Sequence, residues 1–305
     1  MQQERIFKAL AREGLHVEKR DLVYRVRQPD VPDAPVAEVL LPEGFALEKK
    51  ALAQLAGFAS ARHPGGGRVC AAFATPDFHP GTLVPVGAVV ATTLDMVIPQ
   101  AIGTDIQCGM RLHVSELDVD RFAAGKERLI ALLKGDLLLG TRDLPMRVRA
   151  LEALFRAGCV GWAERAAEEP LGCLARSDWR QIERELERIY GLGSADGDPR
   201  WAPDSLLPRD RDVVRDAGIG TVGGGNHFVE IQVVDEILDR RNAHAWGVRK
   251  GMVSIMIHSG SRLVGVHVGN TWMARARERW PAAWRIRARA SIPCTARMPP
   301  CTSRP

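Results

Sequence analysis

Asp105, Cys108, His227 and His258 are the residues of this chain best suited to chemistry. They offer one hard carboxylate oxygen, one soft sulfur and two imidazole nitrogens. That mixture suits a first-row divalent cation better than an apolar core. Asp105 and Cys108 lie in Gly103-Thr104-Asp105-Ile106-Gln107-Cys108-Gly109-Met110, and His227 follows Gly223-Gly224-Gly225-Asn226. His258 opens His258-Ser259-Gly260-Ser261-Arg262. Singly, each has an ordinary explanation: Asp105 as a turn residue, Cys108 as a small buried one, either histidine as a hydrogen-bonded structural group. The conjunction carries the expectation. Such a set reads first as a tetrahedral zinc site, but a thiolate can bridge two metals and carboxylate with imidazole tolerates manganese. Spacing leaves both open.

The loops around these residues are shaped for an anion. Gly223-Gly224-Gly225-Asn226-His227 lets backbone N–H groups approach a phosphate closely. Gly218-Ile219-Gly220-Thr221-Val222-Gly223 matches G-x-G-x-x-G, but that fingerprint needs a helix after it, and the residues that follow read as a strand. No G-K-[ST] is present, which excludes a P-loop. Pro76-Asp77-Phe78-His79-Pro80-Gly81 pairs an acid with a histidine in an expected turn. It suits equally a capping histidine or a carboxylate that orients an imidazole near a metal.

The elements that must position these groups are partly legible. Val23–Arg27 and Val36–Leu41 alternate as short strands, and residues 46–62 suit a helix ended by Pro64-Gly65-Gly66-Gly67. From Val69 to Val114 the chain reads as strands and tight loops, expected to form the core sheet and the wall of the site. Residues 119–192 turn helical. Within them Gln181–Tyr190 interleaves Glu and Arg, with Ile182, Leu186 and Ile189 on one face, as expected of a solvated helix. Residues 194–208 read as a polar loop. Strands return at Phe228–Val233 and Met252–Ile257. The expected fold class is α+β, with mixed sheets and a helical middle segment.

Composition narrows the field. At 305 residues, 46% hydrophobic and 26% charged, the chain is globular rather than disordered. The net charge of +5 is concentrated after residue 270, so a polyanionic partner is permitted but not demanded. The start Met1-Gln2-Gln3-Glu4-Arg5 has no apolar signal segment, and the most apolar run, 83–98, is interrupted by Pro85, Gly87 and Asp95. Six cysteines with no C-x-x-C then suggest reduced thiols and a cytoplasmic protein without membrane attachment.

Four strings, Pro76-Asp77-Phe78-His79, Gly103 to Met110, Gly223-Gly224-Gly225-Asn226-His227-Phe228-Val229-Glu230 and His258 to Arg262, occur in this order. Together they resemble the RtcB-type RNA-splicing ligases over about residues 65–270. The resemblance implies an enzyme that joins an RNA 3′-phosphate or 2′,3′-cyclic phosphate end to a 5′-hydroxyl end, as in tRNA splicing or RNA repair. It would use GTP and two Mn2+ ions, with RNA rather than DNA as partner. By position, Asp105, Cys108 and His227 resemble ligands of one manganese. Cys108 would bridge to the second, which His258 also binds. Asn226, His227, Phe228, Val229 and Glu230 resemble part of the guanylate site. Thr104 and Gln107 are mild departures. The family also uses a guanylylated histidine after these motifs, whereas the last histidine here is His267, so no catalytic nucleophile is assigned. The resemblance therefore predicts an incomplete ligase domain over 1–280 and an aberrant Arg/Pro-rich tail over 281–305. One choice of GC-rich codons for that tail, read one register away, gives family-like sequence, as expected of a frameshift near Ala282. The alternatives are a metal-dependent phosphodiesterase or other hydrolase, and a non-catalytic metal- or RNA-binding remnant.

Overall fold

A computed structural model describes residues 2–42, 44–139, 144–216, 218–225 and 227–281. All of the expected aberrant tail except Pro281 lies outside them. The fold is mixed α+β, and the chain divides into two units, residues 1–106 with 267–305 and residues 107–266.

The first unit begins with helix α1 (Gln2–Ala11), then β1 (His16–Arg20), β2 (Val23–Arg27), β3 (Ala37–Leu40), α2 (Lys49–Ala59), β4 (Val69–His79), β5 (Val86–Thr92) and the single turn α3 (Pro99–Ile102). The five strands form one sheet in chain order, antiparallel except for the parallel β3–β4 pair. Alternation places Tyr24 and Val26 of β2, and Ala37 and Val39 of β3, on the buried face. Leu52, Leu55 and Phe58 recur at helical spacing on α2 and close that core from above. The helix stops at Ala59, where Ser60 caps it, before the expected proline–glycine stop.

The second unit carries β6 (Gly109–Asp118), α4 (Val119–Leu133) with a π-helical turn over Lys134–Leu138, β7 (Leu144–Arg147) and α5 (Val148–Glu168). It continues with α6 (Trp179–Leu186), β8 (Val213–Asp216), β9 (Phe228–Val233), α7 (Arg240–Ala245) and β10 (Met252–Ser259). Helix α8 (Arg262–Glu278) starts in this unit and ends in the first. Its core gathers Leu144, Met146, Leu151, Leu174, Leu207 and Val214 beneath α5. A separate three-stranded antiparallel sheet, in the order β6–β10–β9, supports the candidate site.

Several expectations are corrected. Residues 69–114 do not form one sheet: β4 and β5 join the first unit's sheet and β6 joins another. The chain is redirected between them at Gly103 (φ 73°) and Gln107 (φ 60°). The helical middle contains a strand, β7, whose partner β8 is about seventy residues downstream and could not be seen locally. Helix α6 ends at Leu186, short of Tyr190, and the chain turns extended at Ile189 (φ −106°, ψ 132°) before left-handed Gly191 and Leu192. Its charge run is not only solvated, since Glu185 accepts from Arg111 of β6 at 2.5 Å. The polar loop 194–208 delivers a fully buried Leu207 to the core. Asp77 and His79 lie in a bulged strand rather than a turn.

Candidate metal centre

Antiparallel pairing explains why residues 150 positions apart converge. β10 is the middle strand. Its C-terminal end pairs with the N-terminal ends of both neighbours, with Ser259 opposite Gly109 of β6 and His258 opposite Phe228 of β9. Cys108 immediately precedes Gly109, and His227 immediately precedes Phe228. Both therefore leave their strands beside His258.

The sulfur of Cys108 is 3.1 Å from His258 Nε2 and 3.9 Å from His227 Nε2. The two imidazoles meet edge to face with centroids 5.6 Å apart. His258 Nδ1 donates to the Gly109 carbonyl at 3.1 Å, which fixes the tautomer and leaves the Nε2 lone pair toward the sulfur. Phe228 packs against the His258 ring, with centroids 5.0 Å apart and 30° between ring planes. Asp105 is carried on the Cys108 loop. One ligand atom each from Asp105, Cys108 and His227 falls within 4.8 Å of the others. Asp105 and Cys108 are exposed and the histidines half-buried, so solvent-borne ions have access. A carboxylate oxygen, a sulfur and two nitrogens fit a divalent transition metal.

The other predicted residues divide by strand pleat. Phe228 and Glu230 share the face of His258, whereas Val229 points the opposite way. Glu230 is exposed and accepts from Gln232 Nε2 at 2.9 Å. Asn226 lies outside the described residues. In the first unit, His79 Nδ1 donates to the backbone carbonyl of Asp77 at 2.7 Å, and the Asp77 carboxylate is 3.9 Å away.

Sequence reasoning assigned no role to the residues that hold the histidine loop. Val222 is buried, its N–H donates to the Leu137 carbonyl in the π-helical turn, and its carbonyl accepts from Ser259 Oγ at 2.9 Å. Asp216 Oδ1 accepts from the N–H groups of Gly218 and Ile219. In the sequence Val222 stood out only as part of a glycine-rich string, and Ser259 and Arg262 only as neighbours of His258. Their partners are about forty residues away in the chain.

Among the described residues no helix is long and apolar enough to cross a membrane, and none of the four cysteines is in a disulfide.

The sequence model of the family described as "tRNA-splicing ligase RtcB" matches residues 54–296. The RNA-splicing ligase RtcB of Mycobacterium tuberculosis is 37% identical over 209 residues, which is 65% of this chain and 44% of that protein. The tRNA-splicing ligase RtcB of Archaeoglobus fulgidus is 33% identical over 227 residues, covering 73% and 43% respectively. That of Aeropyrum pernix is 28% identical over 286 residues, 89% of this chain and 55% of its own length. The chain thus spans about half the length, or less, of these curated relatives. With the family model running through both loops and all three strands of the Cys–His cluster, the chain belongs to the RtcB family.

Proposed function

We propose that this chain carries the metal-binding part of a GTP- and manganese-dependent RNA ligase. Its reaction would join 3′-phosphate or 2′,3′-cyclic phosphate ends to 5′-hydroxyl ends, as the names of its relatives suggest for RNA and tRNA splicing. The observation that carries the reading is that the Cys108 sulfur is 3.1 Å from His258 Nε2 and also within 4.8 Å of ligand atoms of Asp105 and His227. Asp105, Cys108 and His227 would hold one manganese ion, and Cys108 would share the second with His258. Two such ions supply charge neutralisation for the attacking and leaving oxygens of an in-line phosphoryl displacement. The loop ending at Gly225 would offer N–H groups to phosphate oxygens, and Asn226, His227, Phe228, Val229 and Glu230 would contribute to the guanylate site. Among these, Phe228 braces the His258 ring.

Two measurements test this reading. Metal analysis of the purified protein should find manganese or a substitute divalent ion bound, and Cys108→Ala should lose it. Retention of full metal content by Cys108→Ala would remove the basis of the proposal. Guanylylation is the second. No histidine follows His267, so the 305-residue polypeptide by itself should form no adduct with radiolabelled GTP. A labelled adduct would show that another residue serves as nucleophile.

One alternative would use the same donor cluster. A metal-dependent phosphodiesterase needs no protein nucleophile. Hydrolysis of 2′,3′-cyclic phosphate ends without GTP, abolished in Cys108→Ala, would select it over ligation.

A further inference from the structure

Arg262 is the charged residue that closes the His258–Arg262 string, and the proposed chemistry assigns it nothing. It begins α8 in a left-handed conformation, φ 51°, which is uncommon for a residue with a long side chain. That backbone turns its side chain back across the loop carrying His227. Arg262 Nη1 donates to the Thr221 hydroxyl at 3.1 Å and to the Thr221 carbonyl at 3.3 Å. The guanidinium then lies on Gly223, so close that a β-carbon there would overlap Cζ, Nε and Nη1. Gly223 itself has φ 90°. The Thr221 hydroxyl passes the constraint on by donating to the Gly218 carbonyl at 2.9 Å.

These contacts join a wider set of restraints. Thr221, Val222 and Gly223 are gripped in succession by Arg262, by Ser259 together with the Leu137 carbonyl, and again by the face of the guanidinium. Ser259 and Arg262 flank the turn that leaves His258. One short corner of chain thus supplies a candidate ligand and both side chains that anchor the loop of another.

We propose that Arg262 is a positioning residue: its guanidinium, seated on Gly223 and bonded to Thr221, sets the position of His227 relative to Cys108 and His258. The assignment rests on the metal-centre reading above. The pairing requires glycine at 223 and a flat, forked cation at 262. A lysine ammonium could reach the Thr221 oxygens but could not cover the glycine with a plane.

Cobalt(II) is the probe, because a cobalt–thiolate bond absorbs in the near ultraviolet and the visible bands report coordination number. Titrations compare the wild-type protein with Arg262→Ala, Arg262→Lys, Gly223→Ala and the double variant Arg262→Ala/Gly223→Ala. Far-ultraviolet circular dichroism checks the fold. Wild type should bind with a thiolate band. Arg262→Ala should weaken binding about 10–100-fold, the range seen when residues supporting metal ligands are removed, and shift the visible bands. Arg262→Lys should recover affinity only in part. It also serves as the readout if the alanine variant fails to fold. Gly223→Ala should harm binding less in the Arg262→Ala background than in the wild type, because the overlap with the guanidinium is gone. Equal cobalt affinity and spectra for wild type, Arg262→Ala and Arg262→Lys would overturn the positioning role while leaving the metal centre intact. Absence of cobalt binding by the folded wild type would instead overturn the metal-centre reading, and this inference with it.

Discussion

At the scale of single residues, the site is organised around one sulfur and the hydrogen bond that orients its neighbour. His258 gives its Nδ1 proton to the Gly109 carbonyl, so only Nε2 remains as a lone-pair donor toward Cys108. A carboxamide can copy the first interaction but not the second. His258→Asn should therefore retain the bond to Gly109 and bind about half the metal of the wild type. The Asp105–Cys108–His227 group remains in that variant. If Cys108 bridges two ions as proposed, Cys108→Ala should lose both. Metal content per chain, measured after gel filtration, separates the outcomes. Equal losses in the two variants would contradict a bridging sulfur.

Elements position these residues through breaks in regular structure as much as through regularity. The π-helical turn after α4 leaves the Leu137 carbonyl to accept from Val222, tying the glycine loop to a helix end. Helix α5 is interrupted at Gly158, φ 68° and ψ −151°, and the 191–197 segment enters the gap. There Ser194 Oγ accepts from Val160 N at 3.2 Å, and Gly197 N donates to the Arg156 carbonyl at 2.8 Å. The backbone groups exposed by the break are satisfied in this way. A β-carbon at Gly158 would press on the Ser194 backbone and would hold an L-residue at positive φ. Gly158→Ala should destabilise the protein by at least about 1–2 kcal/mol from the left-handed backbone alone, with a lower midpoint in urea unfolding. An unchanged midpoint would mean that the break is not needed.

For the whole molecule, one buried histidine ties stability to pH. His63 is 8% exposed, accepts from Gly65 N–H at Nδ1, and meets the Trp280 ring edge to face at 5.3 Å. Burial lowers its pKa below the ordinary 6.5, against the opposing pull of Asp95. The fold therefore prefers the neutral ring. Below pH 6.5 the unfolded chain takes up the proton first, so stability is full above that value and is lost as pH falls toward the lowered folded pKa. Thermal unfolding between pH 7.5 and 5 should show a falling midpoint, with a smaller slope in His63→Asn, whose amide oxygen can still accept from Gly65. An identical slope in the variant would assign the pH dependence to other groups.

Much of the candidate site was legible in the chain because the donor side chains that the structure brings together sit in short strings whose chemistry depends on residue type. The strands that follow Cys108 and His227 and the one that ends at His258 were visible as apolar runs of strand length. The clamp was not, because Arg262 is an ordinary charged residue until its left-handed backbone turns it onto Gly223. The same limit hid β7, whose burial depends on β8 far downstream. The sequence alone determined the donor chemistry, the glycine loop and the family, since these reside in side-chain identity and order. Only the tertiary structure decided that β10 is the central strand. That antiparallel register, a matter of long-range backbone hydrogen bonds rather than local preference, is what brings one sulfur and two imidazoles to the same strand ends.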